Sequence, residues 1–184
     1  MRVLIIILLF FSSTQKVHSS NKDFIIKNLL NTENMSFEFK QTINDKSEFG
    51  NCIIKYPKKI FCKYKNKNKK IMISDGKSLL IKNENSKTSY LYPLKKTPLY
   101  LLLDKDFLIN KIRNLEERIL NDRYINFSII EENNTINVFF DNKNYNLIGW
   151  QTEDLYQNLT ITFISSIVIN KKINNNLFSL PTDN

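Results

Sequence analysis

Histidine is almost absent from this chain, with a single residue, His18, in 184 positions. That residue falls in an N-terminal segment read below as a removed leader, so the mature protein is expected to carry no imidazole. A Ser-His-Asp triad, a His general base and a His metal ligand are then all excluded. Glycine is nearly as scarce. Gly50, Gly76 and Gly149 are the only three, and none sits in a phosphate-cradling spacing, which argues against a Rossmann or P-loop nucleotide enzyme. The two cysteines, Cys52 and Cys62, are too few for a structural zinc site, which takes four N/S ligands. The carboxylate pairs Glu116/Glu117 and Glu131/Glu132 are neighbours in sequence, so their side chains point in different directions. No cofactor, metal or covalent catalysis is expected.

What the chain does have is isoleucine, lysine and asparagine, at 25, 23 and 26 residues. This is the coding bias of an AT-rich genome, so the abundance of Asn and Lys is discounted as a functional signal. At 42% apolar residues, the chain has enough hydrophobic material to fold. Its length fits one domain plus a processed segment.

The processed segment is at the start. Arg2 precedes an unbroken apolar run, Val3 to Phe11, followed by a polar stretch from Ser12 to Ser20. This is the charged, apolar and polar order of a secretory signal peptide. Nine apolar residues are too short to span a bilayer. Val17 and Ser19 suit the third and first positions before a cleavage after Ser19, giving residues 1–19 as signal peptide and 20–184 as one mature domain. Losing Arg2 and Lys16 takes the formal charge from +9 to +7. That charge would steer the protein toward acidic surfaces or anionic lipid, or it is composition bias alone.

Along the mature chain, residues 22–30 read as a short helix with Phe24, Ile25 and Leu29 on one face. Met35, Phe37, Phe39, Gln41 and Ile43 then alternate with polar residues, the pattern of a half-buried strand. Pro57 marks a turn. With a three-residue hairpin loop there, Cys52 and Cys62 would face each other across two strands. They form either a disulfide, in an oxidising compartment, or two buried thiols. Five lysines between Lys63 and Lys70 make either a basic patch or a solvated hairpin tip. Ser74-Asp75-Gly76-Lys77 is a hairpin signal.

At Thr97 the pattern changes. Thr97 is placed as an N-cap and Pro98 as the first helical residue of a very apolar segment, Leu99 to Leu103. A second helix is read over 107–120, with Leu108, Ile112, Leu115 and Ile119 on one face. Strands follow over 124–130, 136–140, 147–150, 158–169 and 177–180. About ten antiparallel strands with one apolar helical insert predict a mainly β fold, a sheet curved into a barrel or an incomplete, half-open barrel with a helical lid.

The inward-facing set of such a sheet is read as Phe37, Phe39, Cys52, Ile54, Ile60, Tyr64, Ile71 and Ile73. These residues line either an apolar cavity or an ordinary closed core. The segment Thr97, Pro98, Leu99, Leu101, Leu102 and Leu103 favours the cavity, because it suits a lid.

Six segments, in order, resemble the LolA family of lipoprotein carriers. They are Phe39-Lys-Gln41; Gly50 with Pro57, Ile60 and Tyr64; Ile73-Ser-Asp-Gly-Lys77; Thr97-Pro98 with Leu101-Leu102; Gly149-Trp150 with Asp154 and Leu159 to Phe163; and Asn174 with Leu177 to Pro181. The resemblance implies a periplasmic carrier, with an incomplete barrel holding the acyl chains of lipoproteins. It implies an inner-membrane ABC-type releasing complex as the first partner and an outer-membrane receptor as the second. A monomer without nucleic-acid partners is expected. In the family an arginine before the hairpin proline latches the lid. The corresponding residue here is Tyr56, so the resemblance leaves the latch to a phenol. Lys55 is one residue away and would point to the other face of the sheet. A lipid- or lipoprotein-sensing regulatory module on the same half-barrel is the alternative reading.

Overall fold

The computed structural model describes residues 20–131, 134–153 and 158–181. Residues 1–19, read above as a signal peptide, Glu132 and Asp154 lie outside the described residues.

The chain opens with helix α1, Asn21–Leu30. Ser20 caps it through the Asp23 amide, and the Asp23 side chain returns the bond to the Ser20 amide. Eleven strands follow in one antiparallel sheet. Six come first: β1 (Asn34–Ile43), β2 (Lys46–Lys55), β3 (Lys59–Tyr64), β4 (Lys70–Asp75), β5 (Ser78–Asn83) and β6 (Thr88–Pro93). A 3-10 turn, Leu94–Lys96, leads into helices α2 (Leu99–Leu103) and α3 (Lys105–Asn114). Then come β7 (Arg118–Leu120), β8 (Tyr124–Glu131), β9 (Asn134–Asp141), β10 (Leu147–Glu153) and β11 (Leu159–Ile169).

The sheet order is β6-β5-β4-β3-β2-β1-β11-β10-β9-β8-β7. Two meanders are thus sewn together by the β1–β11 pair. Strands β6 and β7 end the sheet without pairing to each other, so the barrel is incomplete. The chain between those two edges contains α2 and α3. Their buried residues join the inner face of the sheet in one core that includes Phe37, Ile54, Leu102, Ile112, Phe127 and Phe140.

Three sequence readings change. Helix α3 stops at Asn114, because Leu115 turns to extended backbone. Residues 118–120 become an edge strand on β8, and Ile119 is 51% exposed instead of packed on a helical face. The Arg118 guanidinium holds this edge by donating to Asn126 Oδ1 at 2.9 Å. The last element, read as a strand over 177–180, is a 3-10 turn, Asn175–Phe178. Its Phe178 is buried where this turn packs on β3 and β4, apart from the main core.

The third change concerns β4. Cys62 pairs with Met72, so Met72 shares the inner face with Cys62. Ile71 and Ile73 flank Met72 and therefore point outward. Ile73 is buried outside the main core, on the face where the Phe178 turn packs. The reading of Ile71 and Ile73 as inward-facing is corrected to Met72.

Candidate functional site

The three-residue loop Tyr56–Lys58 joins β2 and β3 and puts Cys52 opposite Cys62. The two sulfurs are bonded, with a Cα–Cα separation of 4.1 Å. Gly50 lets the same strands close up. A Cβ there would lie 2.3 Å from the Lys63 carbonyl oxygen and 2.6 Å from the Phe39 ring.

Above this wall lies a cavity of about 340 Å³. Of the residues read as its lining, Phe39, Cys52, Ile60 and Tyr64 do line it, as does Cys62. Phe37 and Ile54 are buried on the same sheet face but belong to the core beside it. Ile71 and Ile73 are on the outer face, as described. Ile43, Met72, Leu79, Ile81, Tyr92 and Trp150 complete the apolar part, and of these Ile43 and Trp150 stand in patterns singled out above.

The roof is the segment read as a lid. Thr97, Pro98, Leu99 and Leu102 face the cavity. Leu101 and Leu103 are buried in the adjoining core and do not line it. Thr97 is not the cap of α2. Its hydroxyl turns back to donate to the Leu94 carbonyl at 2.7 Å, which closes the preceding 3-10 turn. Pro98 takes the cap position with no side-chain bond.

The latch is where the sequence reading fails most instructively. The Tyr56 hydroxyl is buried without a hydrogen-bond partner among the described residues. Burial pushes its phenol above the ordinary range. Its ring lies under the Lys105 ammonium, 5.7 Å from the centroid, so Tyr56 serves the α3 end by packing. The hydrogen bonds come from Lys58, two residues on. The Lys58 amide donates to the Leu103 carbonyl at 2.9 Å. Its ammonium pairs with Asp104 Oδ2 at 3.0 Å and donates to the Tyr100 hydroxyl at 3.1 Å. The same ammonium sits 4.6 Å from the Tyr100 ring centroid.

Asp104 works in two directions, because its Oδ1 accepts from the Phe107 amide and caps α3. On the sheet side, the Ser74 hydroxyl donates to the Lys58 carbonyl at 3.0 Å and fixes the turn. The Lys58 ammonium is held above the ordinary lysine range, first by the Tyr100 hydroxyl and then by Asp104. One signal for this was available in sequence: Lys58 is the only cation in the hairpin loop. Its partners in and beside α2 are visible only once the helix is folded over the sheet.

The cavity wall is polar at one end, where Gln41, Tyr64, Thr152, Thr160 and Thr162 line it together with the charged Lys70 and Glu153. Lys65 and Lys70 of the lysine-rich turn form ion pairs with Glu38 and Glu48. Burial, then the neighbouring Glu48 carboxylate, push the Tyr64 phenol upward. Among the described residues no cluster of three His, Cys, Asp or Glu could hold a metal. Nor is any helix among them long and apolar enough to cross a membrane.

The family model described as outer membrane lipoprotein carrier protein LolA matches residues 30–181. No curated protein matches in sequence. Among solved structures, an uncharacterized conserved protein from Thermus thermophilus superposes with a TM-score of 0.52 at 8% identity, covering 89% of this chain and 93% of that one. A LolA superfamily protein from Nitrosomonas europaea follows at 0.45 and 7%, covering 89% and 99%. The Pseudomonas aeruginosa MucA/MucB complex gives 0.48 and 7%, covering 89% of this chain and 62% of that one. The chain belongs to the LolA family.

Proposed function

From membership of the LolA family, we propose that this chain is a periplasmic carrier that shields lipoprotein acyl chains while they cross from the inner to the outer membrane. The observation that carries the reading is the lidded apolar cavity, roofed by Leu99 and Leu102 and latched by Lys58. Each buried CH₂ of an acyl chain contributes about 0.8 kcal/mol of membrane affinity, so two or three chains anchor a lipoprotein stably. Crossing an aqueous compartment then needs a carrier with a comparable apolar surface.

Lifting of α2 from the sheet would widen the cavity of about 340 Å³ for long acyl chains, and α2 closing again covers the apolar wall when the carrier is empty. The inner-membrane ABC-type releasing complex supplies the work for loading. An outer-membrane receptor that binds the chains more tightly takes them downhill. The carrier itself acts as a monomer and performs no covalent chemistry.

The test is release of lipoproteins from energised spheroplasts of the host. The added mature protein is expected to bring acylated lipoproteins into the soluble fraction. The Leu102→Asp variant, which puts a carboxylate in the roof, is expected to release few or none. Equal release by both proteins, or none by the first, contradicts the reading.

A further inference from the structure

The cavity wall changes character along its strands. Below the lid it is apolar, with Phe39, Cys52, Ile60 and Leu102. Toward the β1–β2 turn it gains neutral polar groups, set among Ile43 and Glu153. Gln41 of β1 lies opposite Thr162 of β11, and Thr160 of β11 lies opposite Thr152 of β10. The Tyr64 hydroxyl donates to Gln41 Oε1 at 3.4 Å, and Gln41 Nε2 donates to Thr162 Oγ1 at 3.2 Å.

This band is unusual for a wall position. Thr160 and Thr162 are 5% and 2% exposed, on a sheet face whose neighbours are Phe39, Ile164 and Trp150. Valine has the same shape and would serve the fold at least as well. A buried hydroxyl costs stability unless it is hydrogen-bonded. Thr160 Oγ1 donates to the Asn158 carbonyl at 3.4 Å, but other donors of the band are left unused among the described residues. Thr162 accepts from Gln41 but spends its own proton on no described residue, and Gln41 keeps a second amide hydrogen. Thr152 lines the cavity and makes no side-chain bond among the described residues. Two charged residues line this stretch of wall: Lys70 on β4 is paired with Glu48 and lies 3.8 Å from the Tyr64 ring centroid, and Glu153 on β10 is exposed to solvent. The spare donors between them are neutral and suit a neutral acceptor.

We infer that the Gln41–Thr152–Thr160–Thr162 end of the cavity binds the ester and amide carbonyls that join acyl chains to their polar head. The inference rests on the acyl-carrier reading and adds an orientation to it. The linkage lies at the threonine end, and the tails run toward Ile60 and the Leu102 roof.

The test uses two probes that differ only in those carbonyls: dioctanoyl phosphatidylglycerol and its dioctyl ether analogue, both used below their micelle concentrations. Trp150, the only tryptophan, is in the cavity wall opposite Thr162 and reports binding by fluorescence. One to two added hydrogen bonds predict that the wild-type protein binds the diester about three- to tenfold more tightly than the diether. In the Thr160→Val/Thr162→Val variant the ratio is expected to fall to about one, with diether affinity unchanged. Thr152→Val, at a half-buried position, supplies the same comparison if the double variant does not fold. Equal binding of the two probes by the wild type, or an unchanged ratio in the variants, overturns the inference. Failure of the wild type to bind either probe overturns the acyl-carrier reading as well.

Discussion

Replacing Lys58 with methionine removes the charge that closes the roof and keeps most of the side chain's bulk. The lost contacts are the 3.0 Å pair with Asp104, the 3.1 Å bond to the Tyr100 hydroxyl and the cation over the Tyr100 ring. The Lys58 and Asp104 side chains are 29% and 21% exposed, so the pair is partly screened. A charged hydrogen bond in this setting contributes about 1–2 kcal/mol and the ring contact about 0.5–1 kcal/mol. The two are not additive, and a combined loss of about 2 kcal/mol raises the open population of the lid about thirtyfold. The backbone bond from Lys58 to Leu103 survives, so the lid still closes most of the time. Hydrogen exchange measures this directly. The α2 amides are expected to exchange about thirtyfold faster in Lys58→Met, while β8 and β9 amides keep their wild-type rates. Lys58→Arg is expected to restore most of the protection. Unchanged α2 exchange would refute the latch assignment, and equal acceleration in β9 would show global destabilisation instead.

Three further outcomes follow from the same geometry. The Lys58 ammonium is raised above its ordinary range by folding, so its contribution is complete below about pH 10.4 and is lost as pH rises through the raised value. Uptake of an uncharged apolar dye into the cavity is therefore expected to accelerate only above that pH, and to show no such step in Lys58→Met. Removing the Cys52–Cys62 bond as a double alanine variant is expected to cost about 2–3 kcal/mol, a fall in Tm of about 5–10 °C by circular dichroism; an unchanged Tm would contradict this. Gly50→Ala drives a methyl against the Lys63 carbonyl and the Phe39 ring, so a loss of about 1–3 kcal/mol is expected in denaturant unfolding, and a neutral variant would show that the hairpin yields.

The alternation in Met35 to Ile43, the loop at Pro57 and the cysteine spacing made the first hairpin legible, because each fixes a face or a register. Ile71-Met72-Ile73 did not, since three apolar residues in a row carry no alternation. The face was decided by Cys62 pairing with Met72 across a lysine-rich turn. The second helix was read too long because Leu115 and Ile119 continue its period. The chain leaves the helix at Leu115 to supply an edge strand for β8. The sequence left a cavity and a closed core as alternatives, and Phe39, Cys52, Ile60, Tyr64, Leu99 and Leu102 are among the residues read there that do line the cavity. The Lys58 latch and the threonine band were not legible. Both depend on residues brought together from distant strands and helices, a juxtaposition with no local periodicity. The family's arginine position pointed to Tyr56, and the structure moves the hydrogen-bonding role two residues along the same loop.

Native mass spectrometry of the mature protein, taken after incubation with energised spheroplasts of its own host, tests the carrier role most directly. The account predicts soluble one-to-one complexes with di- or triacylated lipoproteins. A protein that stays empty, or returns carrying only free lipid, would contradict it.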